Sequence, residues 1–363
     1  MKLVRHWLVV LVVLALSTAA CAAPAGEEPS ESAEQSDAPA ASTEESPEAE
    51  PSEDPVAGQT IRISYTSDGV GINDFITKLA LDALAERGLN VEYQFIAEDT
   101  LGVQSMIRGE TDIVVGTPPV TINAHTEGVD IQFLAQYNRQ AWSLASTADI
   151  TDVEQLAGKT IAVHGETSFT KTVADLIIEE YGLEGVNVVI IPGSDVRAQA
   201  LLSGQIDATV LDIQDVALAQ QQAPGEVNIL VRFSQLYPEL TSVRMTASSA
   251  WIDENRALAK ELVKELIVQN RAAVEDPEGT IEKAQAEYSD QDPELVAGII
   301  SAFIEGDHWV LDGGMTEENA EFELQFFMDA GQTTLEPTPE NIESLYRLDI
   351  TNEVLDELGR VEE

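Results

Sequence analysis

The chain repeats one passage at a spacing of 95 residues, and this repeat constrains the fold more than any other feature. The first copy reads GETDIVVGTPPV from Gly109 and the second reads SGQIDATVLDIQ from Ser203, so that Asp112 corresponds to Asp207. In each copy an acid precedes a short β-branched run, and a residue that can cap a helix follows that run. The pattern predicts two similar halves.

The elements around each copy follow the same order, which extends the repeat well beyond the two quoted passages. Strand and helix alternate three times over 61–65, 73–88, 91–96, 100–109, 112–115 and from 117 on, and again over 160–163, 168–182, 186–191, 194–204, 208–211 and from 212 on. The predicted caps are Asn73 or Asp74, Thr100 and Thr117 in the first half, and Ser168, Ser194 and Asp212 in the second. Alternation of this kind predicts an α/β fold of two lobes, each with a parallel sheet.

Two lobes leave a cleft, and in parallel sheets ligands bind beyond the carboxyl ends of the strands. Residues at these ends are Thr66, Ser67, Asp68 and Thr117 in the first half, and His164, Glu166, Thr167, Ser168 and Asp212 in the second. Pro118 fits the first turn of its helix, where the missing N–H costs no hydrogen bond. The alternative for each hydroxyl or carboxylate here is a helix cap without a ligand.

The segments between and after the halves predict a hinge and a helical C-terminal part. Extended stretches near 142–150 and 241–248 are expected to cross between the lobes, and two crossings allow hinge closure. Helices over 251–277, 293–304, 316–330 and 338–346 are expected to pack on lobe 1. The predicted domains are therefore 60–145 plus 245–363 for lobe 1 and 146–244 for lobe 2.

The N-terminal segment predicts export. Residues 1–20 combine Lys2 and Arg5 with an apolar run and small residues, as in a signal peptide. Cys21, the only cysteine, is either an unpaired thiol in a removed peptide or a lipidation site; Thr18 departs from the leucine that lipoprotein signals prefer. Residues 21–59 lack Lys, Arg and aromatics, which predicts an acidic disordered tether.

Charge and residue inventory argue against several classes of function. The formal net charge of −46 makes nucleic acid and anionic lipid headgroups poor partners. The four histidines are scattered along the sequence, so no metal site is expected. Ser168 lacks the Gly-x-Ser-x-Gly context of a hydrolase nucleophile. No cofactor and no enzymatic activity are expected. His164 is either an acid–base group or a hydrogen-bonding wall residue.

Three phrases of the sequence resemble one family. Gly-Glu-Thr-Asp-Ile-Val-Val-Gly-Thr-Pro-Pro, Leu-Ala-Gly-Lys-Thr-Ile-Ala-Val from Leu156, and Gly-Gln-Ile-Asp-Ala from Gly204 look like the periplasmic-type solute-binding proteins of ABC importers. The branch that handles nitrate, sulfonates, taurine and thiamine-type pyrimidines is the most similar. The resemblance covers about 60–363 and implies the periplasmic-binding-protein-like fold of type II.

The resemblance also implies a function, partners and a site. It implies a monomeric, lipid-anchored, extracytoplasmic protein that captures a small solute for an ABC permease and its ATPase. The implied ligand-binding residues are Thr66, Ser67, Asp68, Asn73, Thr117, Pro118, Trp142, Thr167, Ser168 and Asp212. Two alternatives stay open: a ligand-sensing lipoprotein of the same fold, and a pyrimidine-synthesising enzyme, whose cysteine-rich iron motif this chain lacks.

The charge of the ligand is left open by the residues. Helix N-termini and hydroxyls favour an anion, whereas Asp68, Glu166 and Asp212 favour an amine or a ring N–H donor. Arg139 and Arg244 either neutralise an anion or form surface salt bridges. Trp142, with Phe169 and Tyr65, either stacks on a flat heterocycle or belongs to the core. A polar heteroaromatic or amine-bearing compound is the favoured class.

Overall fold

The computed structural model describes residues 54–361 apart from Asp68, Ala97, Tyr137, Glu166 and Thr167. The predicted signal peptide, the lipidation site Cys21 and nearly all of the predicted tether lie outside the described residues. Within the described part, no helix has both the length and the hydrophobicity that crossing a bilayer requires.

The described residues form ten strands and fourteen α-helices. The strands are β1 (Thr60–Tyr65), β2 (Asn90–Phe95), β3 (Ile113–Gly116), β4 (Gln132–Gln136), β5 (Trp142–Thr147), β6 (Thr160–Val163), β7 (Asn187–Ile190), β8 (Ala208–Asp212), β9 (Val227–Arg232) and β10 (Arg244–Ala247). The helices are α1 (Phe75–Glu86), α2 (Asp99–Ile107), α3 (Pro118–Thr126), α4 (Phe169–Glu180), α5 (Ser194–Leu202), α6 (Ile213–Gln222), α7 (Phe233–Leu236), α8 (Ser249–Glu254), α9 (Arg256–Glu275), α10 (Pro277–Glu287), α11 (Pro293–Glu305), α12 (Glu317–Asp329), α13 (Pro339–Leu345) and α14 (Leu348–Leu358). Short 3-10 turns cover Ile72–Asp74 and Val153–Leu156.

The strands form two five-stranded sheets. The sheet of lobe 1 has the order β2-β1-β3-β10-β4, and the sheet of lobe 2 has the order β7-β6-β8-β5-β9. In both sheets the first repeated strand lies between the second and the third and runs parallel to them. The duplicated order of elements predicted from the sequence is thus the order in which each sheet is built.

The sheets are mixed, which corrects the expectation of parallel sheets. β10 runs antiparallel to β3 and β4, and β5 runs antiparallel to β8 and β9. Each of these two strands comes from a segment that the sequence suggested as a crossing. The segments that cross between the lobes are therefore shorter than predicted. They pair with each other through the antiparallel bridge between Arg139 and Thr241.

The two aspartates of the repeat hold the first strand of each lobe in register. A carboxylate oxygen of Asp112 accepts a hydrogen bond of 2.8 Å from the backbone N–H of Arg62. The carboxylate of Asp207 accepts one of the same length from the N–H of Thr160. The two aspartates of the repeat thus have a structural role, because each accepts a backbone N–H in or at the start of the first strand of its lobe.

The C-terminal helices contact both lobes and not lobe 1 alone. α9 packs on α1 and α14 packs on α9, whereas α11 packs on α6 of lobe 2. α12 contributes Leu324 and Phe327 to a core that also contains Phe133 of lobe 1 and Leu144 of lobe 2. α10 and α14 were not predicted, and the helix expected over 251–277 is divided between α8 and α9, which meet at Asn255.

Candidate functional site

The two lobes meet where β1 and β8 end, and the contact is polar. The side-chain amide of Asn73, which follows β1, donates a hydrogen bond of 3.0 Å to Oδ2 of Asp212, the last residue of β8. Asn73 lies in the 3-10 turn that leads into α1, and Asp212 is the N-cap of α6. The carboxyl edges of the two sheets therefore face each other at this point.

Local structure fixes the carboxylate of Asp212. Its Oδ1 accepts the N–H of Gln214 at 2.9 Å, which is the capping bond that the sequence predicts. Its own N–H donates to Oγ of Ser194 at 3.1 Å. Ser194 is itself the first residue of α5 and not its cap, because Gly193 occupies that position.

The electrostatic setting of Asp212 differs from that of an ordinary surface acid. Desolvation by the packed lobes raises the pKa of Asp212 to about 6, against the hydrogen bonds from Gln214 and Asn73, which lower it. The charges of Asp215 and Asp74 raise this pKa further. A carboxyl with such a pKa changes its charge near neutrality and can accept or donate a hydrogen bond to a solute.

An apolar seam continues the contact between the lobes beside Asp212. Ile72 and Phe75 of lobe 1 and Ile213 of lobe 2 belong to one buried cluster, which α11 completes. The hydroxyl of Tyr288 donates a hydrogen bond of 2.8 Å to the carbonyl of Gly71 at the edge of this seam. The approach of the lobes is thus stabilised by burial of apolar surface as well as by the polar contact.

Trp142 lies next to Asp212 on the neighbouring strand. The two residues are cross-strand partners of β5 and β8, and the indole is only partly buried against the core that contains Phe133 and Leu144. Tyr65 and Phe169 do not join it: Tyr65 is buried against Tyr93 and Phe95, and Phe169 packs against Phe233 and Phe326. Only Trp142 of the three stands beside the polar contact between the lobes.

Thr66 and Thr117 form a second group, within lobe 1. Thr117 is the N-cap of α3 by position, but its hydroxyl donates to Asp99 at 2.6 Å and makes no capping bond. The hydroxyl of Thr66 donates to the carbonyl of Val115 at 3.1 Å. Gly116 lies between them, and a Cβ atom there would stand 2.6 Å from the Asp99 carboxylate.

The predicted cap of α2 is wrong by two residues, because Glu98 and not Thr100 occupies the N-cap position.

Ser168 belongs to a third group, within lobe 2. Its hydroxyl oxygen accepts the N–H of Lys171 and so caps α4 as predicted, and its O–H donates to the carbonyl of Gly165 at 2.8 Å. Nδ1 of His164 accepts the N–H of Gly193 at 3.3 Å. Of the two alternatives for His164, this bond fits a hydrogen-bonding residue in the wall of the cleft. The neighbouring Thr167 lies outside the described residues.

The remaining predicted ligand-binding residues are placed as follows. Pro118 is buried in the first turn of α3, and the hydroxyl of Ser67 donates to the carbonyl of Gly69 at 2.7 Å. Asp68 lies outside the described residues. The structure thus brings Asn73, Trp142 and Asp212 together, and it holds Thr66 with Thr117 on one lobe and Ser168 on the other.

Arg244 is fully buried, which rules out a surface salt bridge. Its guanidinium lies 3.0 Å from Oε2 of Glu323 on α12, and it stacks over the rings of Phe133 and Tyr346. The hydroxyl of Tyr346 donates to the same Oε2 at 3.0 Å. Arg139, the other candidate, donates to the backbone carbonyls of Pro238 and Asp307 at the crossings.

Two polar residues that connect distant elements of the chain were missed. Glu323 occupies the apolar stripe of α12 between Ala320 and Phe327, and an acid at such a position is a detectable sign of a buried ion pair. Gln332 connects the lobes a second time: its carbonyl accepts from Asn123 at 3.0 Å, and its amide donates to Thr172 at 2.7 Å. No local pattern marks Gln332, because both partners are distant in sequence.

Metal ligation is not indicated by the described side chains. In the part of the chain that the structure describes, no three His, Cys, Asp or Glu side chains come together as a metal site requires. The expectation of a site without metal or cofactor remains a prediction.

Comparison with protein families identifies the class. The family model described as NMT1/THI5 like matches residues 83–280, which is more than half of the chain. The protein therefore belongs to the NMT1/THI5-like family. No curated protein sequence matches it.

Solved structures show the same fold at low identity. The periplasmic sulfonate-binding protein SsuA of Methylobacillus flagellatus KT superposes with a TM-score of 0.63 at 16% identity, over 83% of this chain and 94% of that one. The aliphatic sulphonate binding protein SsuA of Escherichia coli gives 0.62 at 16%, over 79% and 92%. The nitrate-binding protein NrtA of Synechocystis PCC 6803 gives 0.59 at 12%, over 83% and 89%. The predicted two-lobed, periplasmic-binding-protein-like fold is confirmed.

Proposed function

We propose that the protein is the extracytoplasmic solute-binding component of an ABC importer. It captures a small polar organic molecule between its lobes and delivers the molecule to a permease and its ATPase, without chemical turnover. The observation that carries the proposal is the hydrogen bond between Asn73 and Asp212, since it joins the carboxyl edges of two similar sheets. The sulfonate-binding and nitrate-binding proteins that share the fold support the same function.

The proposed site combines predicted residues of both lobes, centred on the contact between Asn73 and Asp212. Asp212 and Asn73 supply an acceptor and a donor, Trp142 supplies an aromatic surface, and the hydroxyl groups come from both lobes. The full proposed set is Thr66, Ser67, Asp68, Asn73, Thr117, Pro118, Trp142, Thr167, Ser168 and Asp212. A solute held in this way contacts both lobes, so its binding favours the closed arrangement.

The proposed location is the outer face of the cell membrane or the periplasm. Removal of residues 1–20 would leave Cys21 as the N-terminal residue, and acylation there would anchor the protein through the acidic segment 21–59. We further propose that the protein acts as a monomer, with lobes divided close to the predicted bounds of 60–145 plus 245–363 and 146–244, but with all of β5 in lobe 2 and all of β10 in lobe 1. Mass spectrometry of the mature N-terminus from a membrane fraction tests the anchor independently of solute binding.

Native mass spectrometry of the purified protein, followed by a thermal-shift screen, tests the function. We expect a small molecule to co-purify or a polar organic solute to raise the melting temperature. Asp212→Ala and Trp142→Ala should each weaken binding of that solute by about tenfold or more, because each removes a direct contact. Asp175→Ala, a change of an exposed carboxylate on α4, is the matched control and should bind normally.

Normal binding by both site variants, with the fold intact, would exclude the proposed site. Turnover of the bound compound would show an enzyme instead. Stimulation of ATP hydrolysis by permease and ATPase in vesicles distinguishes import from sensing, since a sensor would give no such stimulation.

A further inference from the structure

We propose a second small-molecule site, outside the cleft between the lobes, which takes a short-chain organic carboxylate. The site is a cavity of about 300 Å³ between α6 and β9 of lobe 2 and the C-terminal helix α11. None of the residues proposed for the cleft lines this cavity. Its volume lies at the lower end of the range for small-molecule sites, which fits a ligand of a few carbon atoms.

The walls of the cavity are mostly apolar. Val216 of α6 and Ile229 of β9 form one side, and Leu295 and Ala302 of α11 form the other. Leu295, Gly298 and Ala302 follow each other at helical spacing, so one face of α11 lines the cavity. These walls suit an alkyl chain, because each methylene removed from water tightens binding by about fourfold.

Gly298 lines the cavity and is itself exposed. It lies in the interior of α11, where glycine is an unfavourable residue. A Cβ atom built on Gly298 would meet no other atom within 4 Å, so packing does not require a glycine here. A larger side chain at this position would extend into the space that the proposed ligand occupies.

Arg232 supplies the charge that selects a carboxylate. It is the last residue of β9, it lines the cavity, and its side chain is partly buried. Among the described residues its guanidinium has neither an ion pair nor a hydrogen bond, although the chain holds 65 acids and only 19 Lys and Arg. A guanidinium binds a carboxylate through two parallel hydrogen bonds, which adds specificity to the charge attraction.

Glu294 is the residue that opposes this assignment. It also lines the cavity, but it is exposed at the start of α11, where solvent screens its charge. The adjacent wall is held in place by the hydrogen bond of 2.8 Å from Gln221 of α6 to Asp292, the N-cap of α11. The charge of Glu294 is therefore screened more strongly than that of the partly buried Arg232, so Glu294 weakens the attraction for a carboxylate without cancelling it.

Calorimetric titration of the folded protein with hexanoate tests the proposal. We expect saturable binding that tightens by about fourfold per methylene from butanoate to hexanoate. Arg232→Gln should weaken it by at least about tenfold, the loss of one charge-assisted pair. Gly298→Leu should abolish it, whereas the matched control Gly298→Ala should retain it. Glu294→Gln should tighten binding slightly.

The variant Asp212→Asn distinguishes binding in the cleft from binding at the second site. It alters the cleft and should leave hexanoate binding unchanged. Loss of hexanoate binding in Asp212→Asn with retention in Gly298→Leu would place the ligand in the cleft and overturn the proposal. Absence of hexanoate binding to the unaltered protein, or binding of hexylammonium in its place, would overturn it as well. None of these results depends on whether the cleft captures a solute for import.

Discussion

Asp212→Asn should make the protein less sensitive to pH between the acid range and neutrality. The pKa of Asp212 is raised from 3.8 to about 6 in the folded protein. A raised carboxyl pKa means that the folded state binds the proton more tightly than the unfolded state. The contribution to stability is therefore complete below about pH 3.8 and is lost as the pH rises through 6.

The size of the effect follows from the two pKa values of the same group. A difference of about 2 pH units corresponds to at most about 3 kcal/mol in the free energy of unfolding. About 2 kcal/mol of this falls between pH 4.5 and 7.5, because ionisation in the unfolded chain is already well advanced at the lower value. The variant lacks the ionisation and should lose this part of the pH dependence.

The substitution preserves the contacts of the carboxylate. The side-chain oxygen of an asparagine can still accept the N–H of Gln214, so the cap of α6 remains. Oδ1 of Asn73 is buried and has no hydrogen-bond partner among the described atoms. A rotated Asn73 amide would present this oxygen to the new N–H donor, and the contact between the lobes would be retained.

Urea unfolding at pH 4.5 and 7.5 measures the effect as a difference between variant and unaltered protein. The stability of Asp212→Asn relative to the unaltered protein should rise by about 2 kcal/mol between these pH values. Asp175→Asn, on the exposed surface of α4, controls for the change of net charge. Equal pH dependence of Asp212→Asn and the unaltered protein would refute the argument that burial between the lobes raises this pKa.

Two further predictions concern buried groups away from the cleft contact. Arg244→Met should lower the free energy of unfolding, measured in urea, by about 3–5 kcal/mol, because it leaves Glu323 buried without its cation. The double variant Arg244→Met with Glu323→Leu should recover most of this loss. No recovery in the double variant would contradict the argument. Burial lowers the pKa of His308 to about 4, so its contribution to stability is lost as the pH falls below 6.5 toward 4. His308→Gln should remove up to about 3 kcal/mol of that dependence in paired acid titrations, and an unchanged slope would count against it.

The sequence predicts the parts of the fold that local patterns encode. Ser168 and Asp212 cap their helices as expected, because the capping bond reaches only two or three residues along the chain. Thr117 stands at the expected position but binds Asp99, which lies 18 residues earlier. A capping residue can be located from local sequence, whereas the partner that its side chain chooses depends on the packed loops.

The sequence does not reveal which distant strands pair with each other. β5 and β10 look like crossing segments because their partners lie far away: Trp142 pairs with Asp212, and Arg244 pairs with Gly116. Their antiparallel direction follows from the chain entering each lobe at the cleft side. The same distance hides Gln332, whose two partners belong to different lobes.

The two copies of the repeat differ where the candidate site lies, and this difference has a physical reading. Asp112 and Asp207 keep the same residue and make the same bond to a strand, so the copies share their scaffold. Thr117 and Asp212 occupy equivalent positions, each at the start of the third helix of its lobe, yet one binds within its lobe and the other binds across to Asn73. A solute between two identical edges would meet a symmetric environment, which suits few organic molecules. The exchange of a hydroxyl for a carboxyl with a raised pKa makes the edges unequal, so we infer that the selectivity of the cleft depends on this pair of positions.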